Sequence, residues 1–307
     1  MAVMPQKSKQ TDIYHQRLNL VINHIRENST EDLSLSELAQ VAGFSPFHFH
    51  RLFKSLTNET ISDMATRFRL ERAASLLRAS PGHSITEAAF DCGLRSVSVF
   101  SRSFKKHYGI NAREWDRQSP LKNSKNGKAS DDFPRYTLEK LSEFAEQGRF
   151  EVHLRSLPAQ RLAYIRVYDS YSRFSNVVNA YHKLLDWFYR QGGQIDKTTL
   201  YGMSQDDPEV TPLRLCRFDW CLSVPSDWQA QGEVSMQDFP ACRVAAIRCS
   251  GDLRQEYEAV QFLFRYWLPR SRYQPANLPG MEIYRRHPAE LGWETFDLDC
   301  AIPIVAL

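Results

Sequence analysis

Phe, Arg and Phe stand at two-residue steps twice in this chain, as Phe49, Arg51 and Phe53 and again as Phe100, Arg102 and Phe104. On a helix, residues four apart share a face, so each phenylalanine pair buries together and throws its arginine to the other side. That outer side would show Pro46, Phe47, His50, Arg51 and Lys54 in the first instance. In the second it would show Val97, Ser98, Ser101, Arg102 and Lys105, with Ser96 just ahead of them. Arginine suits guanine edges or phosphates, serine and histidine supply hydrogen bonds, and Phe47 and Val97 suit thymine methyl groups. This is the chemistry of a duplex major groove.

The elements that must present these residues are legible around them. In "ELAQVAGFSPFHFHRLFKSL" at 37–56, a helix containing the small residue Ala39 ends at Gly43, and a second helix opens with Ser45 as N-cap and Pro46 in its first turn. In "EAAFDCGLRSVSVFSRSFKKHYG", Ala89, Gly93 and Leu94 repeat that order. One such hairpin would read as a solvated face in a helical bundle, but two at matched offsets read as paired helix-turn-helix units. Residues 1–120 carry 16 Lys and Arg against 12 Asp and Glu, a balance of +4 that leaves −1 for the remainder of the +3 chain. A basic first half agrees with a polyanionic partner.

A second chemistry sits in the other half. The stretch "LPAQRLAYIR" at 157–166 returns 82 residues later as "FPACRVAAIR", and each copy is followed by a long amphipathic helix and then by similar strands, "FDWCLSVP" and "FDLDCAIP". The region therefore reads as a duplicated strand–strand–helix–strand–strand module, with repeats at about 150–225 and 234–304 and a ligand groove along their pseudo-twofold axis. Alternation puts Phe218, Trp220 and Leu222 on one strand face with Asp219 and Cys221 on the other, and Phe296 and Leu298 opposite Asp297 and Asp299. The apolar faces should lie under the helices and the acidic ones should point into the groove. Aromatic rings complete a site for a cation or a flat organic molecule. The candidates are Tyr164, Tyr168, Tyr201, Trp220, Tyr284 and Trp293, of which two or three should line the groove.

Other functions find little support. The chain has no G-x-S-x-G, no H-E-x-x-H and no Gly-rich phosphate loop, so neither catalysis nor a cofactor is expected. Its six cysteines form no C-x-x-C pair and read as reduced small hydrophobes rather than metal ligands. With no signal-like or membrane-spanning run of apolar residues, a cytoplasmic location is expected. "QSPLKNSKNGKASDD", rich in Ser, Asn, Lys and Gly, reads as a flexible linker over 118–133.

Residues 10–117, above all "CGLRSVSVFSRSFKKHYGINAREW", resemble the DNA-binding domain of AraC/XylS-family transcription regulators. That resemblance implies two helix-turn-helix subdomains joined by a long helix, here "ISDMATRFRLERAASLLRAS". Residues 150–307 resemble the GyrI-like effector-binding domain, which implies two related modules around a pocket for drug-like ligands. In that family a carboxylate four residues before the Pro of the last strand is taken to neutralise cationic ligands, which points to Asp299. The expected fold is thus an all-α N-terminal domain with two helix-turn-helix subdomains, then an α+β domain of two pseudo-repeated modules. The implied partners are promoter DNA, a small aromatic or cationic effector and RNA polymerase. The second reading makes the C-terminal region a protein-interaction module or a hydrolase of small xenobiotics.

Overall fold

The computed structural model describes residues 6–57, 59–79, 82–115 and 136–307, so the expected linker at 118–133 lies outside the described residues. The helical region runs through α1 (Gln6–Glu27), α2 (Leu35–Val41), α3 (Pro46–Thr57), α4 (Ile61–Ala79), α5 (Ile85–Asp91) and α6 (Val97–Tyr108). Ser34 and Ser84 start α2 and α5 with reciprocal capping boxes to Glu37 and Glu87, satisfying amides that a helix start leaves bare. Each first helix stops at a glycine in the left-handed region, Gly43 at φ 63° and Gly93 at φ 72°. There Phe44 and Leu94 donate their amides back to the carbonyls of Ala39 and Ala89 at 2.9 and 3.0 Å.

Two small cores result. Leu18, Ile22, Leu38, Ala39, Phe49 and Phe53 fill the first. Ala89, Phe100, Phe104, Tyr108 and Trp115 fill the second. Helix α4 belongs to both, giving Met64 and Phe68 to one and Leu70 and Leu77 to the other, so it is the connector. The units also touch directly: a Cβ on Gly93 would collide with the backbone of Thr30, and Arg69 donates to the carbonyls of Ser29 and Glu31.

After α7 (Leu138–Glu146) come β1 (Val152–Leu157), β2 (Gln160–Tyr168), α8 (Phe174–Arg190), β3 (Leu200–Ser204) and β4 (Arg217–Val224). The second copy follows as β5 (Ser235–Phe239), β6 (Cys242–Gly251), α9 (Leu253–Gln261), β7 (Tyr273–Pro275), β8 (Gly280–Tyr284) and β9 (Phe296–Ala306). The strands form one antiparallel sheet in the order β1-β6-β9-β8-β3-β4-β2-β5, with β7 on β9. The copies are interlaced: β1 of the first pairs with β6 of the second, and β5 of the second pairs with β2 of the first. Their pseudo-twofold line runs between β3 and β8, where Gly202 stands opposite Glu282. Helix α8 covers Ile165, Trp220 and Leu222, and α9 with its π-type extension (Phe262–Trp267) covers Ile247, Leu298, Cys300 and Ile302 on the same face. The other face is packed with Leu162, Tyr164, Tyr201, Met203, Val244 and Met281.

Helix α1 carries two stripes. Leu18, Val21, Ile22 and Ile25 feed the first helical core, while Gln16, Asn19, Asn23 and Arg26 turn toward the sheet. Asn19 accepts from Tyr168 Oη at 2.7 Å and Asn23 accepts from Arg166 at 2.9 Å. Arg26 pairs with Asp206 at 3.3 Å, and Asp206 also takes Arg217 at 2.8 Å and Arg67 of α4 at 3.7 Å. Arg78, near the end of α4, meets Asp207 and Glu209. Burial and the neighbouring Arg217 push the Arg26 guanidinium down to about 9, the sign of a hub crowded with positive charge.

Candidate nucleic-acid interface and effector cleft

The two second helices, α3 and α6, present their outer faces as matched sets, each member of the second lying 51 positions after its counterpart. Pro46, His50, Arg51 and Lys54 are exposed on α3, where Phe47 also lies, its side chain outside the described set. On α6, Ser98, Arg102 and Lys105 are exposed and Val97 and Ser101 half-buried, while Ser96 is the N-cap and accepts from the amide of Val99. Sequence reasoning passed over Val99 and Lys106, which the structure leaves exposed on α6. Phe49, Phe53, Phe100 and Phe104 are fully buried behind these faces. Two buried rings hold each helix by an apolar back and turn its basic front to solvent. Arg102 makes only a 3.4 Å contact to the Ser98 carbonyl of its own helix.

The acidic strand face behaves differently from expectation. Asp219 is wholly buried and accepts from Arg166 at 2.7 and 2.8 Å and from Gln205 at 2.8 Å. Asp299 is clamped by Arg285 at 3.0 Å and by Arg155, and Asp297 faces Arg248 at 3.3 Å. Cys221, Tyr164 and Tyr201 are core residues of that same face, and Tyr168 is engaged by α1. Alternation gave the correct parity, but this face is filled by core side chains and partly covered by α1, and arginines on adjoining strands already neutralise its carboxylates.

On the opposite face α8 and α9 flank the pseudo-twofold line and leave β3 and β8 between them. Glu282 of β8 and Glu256 of α9 are neighbours there, both half-buried. Tyr284 Oη donates to Glu282 Oε2 at 2.5 Å. Burial pushes both glutamates above the ordinary carboxylate range, Glu256 the further because Glu282 adds repulsion. Gly202 makes the space: a Cβ there would lie 2.5 Å from Glu282 Oε2 and 2.6 Å from Phe218 Cζ. Around the acids stand rings in contact, Trp220 with Tyr284 at 5.3 Å and with Trp293 at 6.1 Å, and Tyr181 with Trp293 at 5.0 Å. Of the six aromatic candidates the structure thus gathers Trp220, Tyr284 and Trp293 here.

Sequence reasoning missed Glu256 and Glu282. One signal was available: "YGMSQDDP" and "MEIYRRHP" align at an offset of 80, placing Glu282 in one repeat where Gly202 stands in the other.

Residues 150–305 match the profile of the GyrI-like small molecule binding domain. The chain belongs to the GyrI-like family. Ahead of the GyrI-like domain, residues 38–118 match a helix-turn-helix domain of AraC type. The regulatory protein SoxS of Escherichia coli K12 is 31% identical over 88 residues, 29% of this chain and 81% of SoxS. The bifunctional transcriptional activator/DNA repair enzyme AdaA of Bacillus subtilis is 28% identical over 110 residues, 36% of this chain. The match spans 52% of AdaA, about half its length. A crystal structure of an AraC-type transcriptional regulator from Chromobacterium violaceum aligns at 31% identity with a TM-score of 0.30, covering 32% of this chain and 87% of its own. The chain thus joins an AraC-type helix-turn-helix domain to a GyrI-like small-molecule binding domain, and no helix of the described residues is long and apolar enough to cross a membrane.

Proposed function

We propose that this regulator reads adjacent major-groove segments of a promoter with α3 and α6, and that a cationic aromatic effector entering between α8 and α9 modulates transcription in the cytoplasm, in concert with RNA polymerase. The observation that carries the effector reading is the pair Glu256 and Glu282, two neighbouring half-buried carboxyl groups beside the Tyr284 hydroxyl and the Trp220 and Trp293 rings. An acid in such a place is costly until a cation arrives, and Tyr284 and Trp293 offer ring faces to the same ligand. Binding rather than turnover is the role assigned to the acids.

Titration calorimetry with N-methylacridinium and with uncharged acridine, on the wild type and on Glu282→Gln, tests this. The substitution keeps size and hydrogen bonding but removes charge, so affinity for the cation should fall about tenfold or more while acridine is unaffected. Equal losses for both ligands, or for neither, would remove the acid pair from effector recognition. Consumption of either ligand during incubation would favour a hydrolase instead.

A further inference from the structure

The pseudo-twofold line that relates the two modules also relates the seat of α1 to a second place on the same sheet face. In the first module Asn23 of α1 donates to Gln237 at 3.3 Å and accepts from Arg166 at 2.9 Å, and Arg26 reaches Gln205 and Asp206. Strand register carries each of these partners into the second module. Arg166 opposite Asp219 becomes Arg248 opposite Asp299, and Gln237 opposite Leu162 becomes Arg155 opposite Val244. Gln205 and Asp206, which follow the last residue of β3, become Arg285 and Arg286, which follow the last residue of β8.

The two seats differ in cover and in charge. Under α1, Arg166, Gln205 and Asp206 are buried and Gln237 is half-buried. In the second module the side chains of Arg155, Arg248, Arg285 and Arg286 are 42%, 57%, 45% and 53% exposed. Among the described residues, the first three bond by their guanidinium groups to Asp299 and Asp297 and to no helix. Those two acids are 5% and 17% exposed, so this seat turns guanidinium groups outward and keeps its carboxylates behind them.

We propose that the second seat docks an acidic α-helix of a partner protein, laid across β1 and β6 as α1 is laid across β5 and β2. The occupant carries Asp or Glu where α1 carries Asn23 and Arg26. At the first of these positions Gln237 of the α1 seat has become Arg155, and at the second Asp206 has become Arg286. That reversal of charge repels α1 itself, and two such arginine faces repel each other, so a second copy of this chain is not the occupant.

Fluorescence anisotropy on the full chain tests this with two labelled, helix-stapled peptides: residues 12–27 of α1, and the same segment with Asn23→Glu and Arg26→Glu. The acidic peptide should bind with a Kd on the order of 10–100 μM, at least about tenfold tighter than the α1 peptide, and should weaken severalfold between about 50 and about 300 mM salt. Arg285→Gln with Arg286→Asp gives the second seat the residues of the first, and the preference should then reverse. The wild-type comparison decides without any variant: equal affinity for both peptides, or no binding of the acidic one up to about 1 mM, overturns the docking site. Weaker promoter binding by the double variant, with its affinity for the acidic peptide unchanged, would make the arginines a DNA phosphate contact and overturn it as well.

Discussion

At Gly202 the place of a Cβ is taken by the Glu282 carboxyl and the edge of Phe218, and the titration of that carboxyl follows from where the chain has put it. Glu256 and Glu282 both have folded pKa values above the ordinary glutamate value of 4.5, so the folded state holds protons more tightly than the unfolded chain. Stability is then greatest below the ordinary value and is lost as pH rises through it toward the raised ones. Glu256→Gln keeps a donor to Glu282 while abolishing the coupled titration. Its melting temperature should exceed that of the ligand-free wild type by a few degrees at about pH 8, with the gap closing near about pH 4. Thermal unfolding across that range checks this, and a constant gap would mean that the pair titrates normally. On the other domain, Arg51→Ala and Arg102→Ala should each cost roughly 1–3 kcal/mol of DNA affinity and relax preference at particular base pairs. Mobility shifts on a set of single-base variants distinguish this from a phosphate contact, which would weaken all sequences alike.

Among the elements, the two helix-turn-helix units were the most legible. Their apolar backs, serine caps and left-handed glycines are all local signals, and each is satisfied by neighbours within a few residues. Strand alternation was legible as well, and put Trp220 and Leu222 under α8 where the structure has them. What could not be read was which sheet face opens to ligand, because that depends on α1, a helix more than a hundred residues away. Its polar stripe, Gln16, Asn19, Asn23 and Arg26, looks like a solvated face until Tyr168, Arg166 and Asp206 are brought to it. Glu256 was hidden for the same reason: on "LRQEYEAVQ" it reads as one more surface acid of an amphipathic helix. At this scale the contact of Gly93 with Thr30 makes the spacing of the two helix-turn-helix units a fixed quantity. Gly93→Ala combines a left-handed backbone with a backbone collision and should destabilise by about 2 kcal/mol or more, measurable by urea unfolding. It should also weaken a full two-segment DNA site more than a half-site.

For the molecule as a whole, the proposed effector site and the helix-turn-helix region meet through β3 and β4. Gly202 and Phe218 border the acids on one side of the sheet, while Gln205 and Asp206, a few residues further along and just past β3, hold Arg26 of α1, and Asp206 also pairs with Arg67 of α4 and Arg217 of β4. On the proposed function, a ligand that shifts these strands would act on the seat of α1 and α4, and by reciprocity DNA would alter effector affinity by the same factor. Asp206→Asn leaves three guanidinium groups short of a partner. It should cost about 3 kcal/mol or more in stability and reduce the effector-dependent change in DNA affinity toward onefold, with effector binding itself preserved. Fluorescence anisotropy of labelled DNA with and without ligand measures this, and an undiminished response in Asp206→Asn would mean that the signal travels elsewhere.

The exchange of β1 and β5 between the two copies has a consequence for how the protein can be divided. Although the sequence repeats, neither repeat owns a complete sheet: a fragment ending at Val224 keeps β1 without β6 and leaves β2 without β5. A fragment beginning at Ser235 has β6 without β1, and β5 without a strand to join. The duplicated halves are thus a mutually templated pair, and a break in the backbone between them should give two chains that are unstructured apart and recover the fold only by complementation.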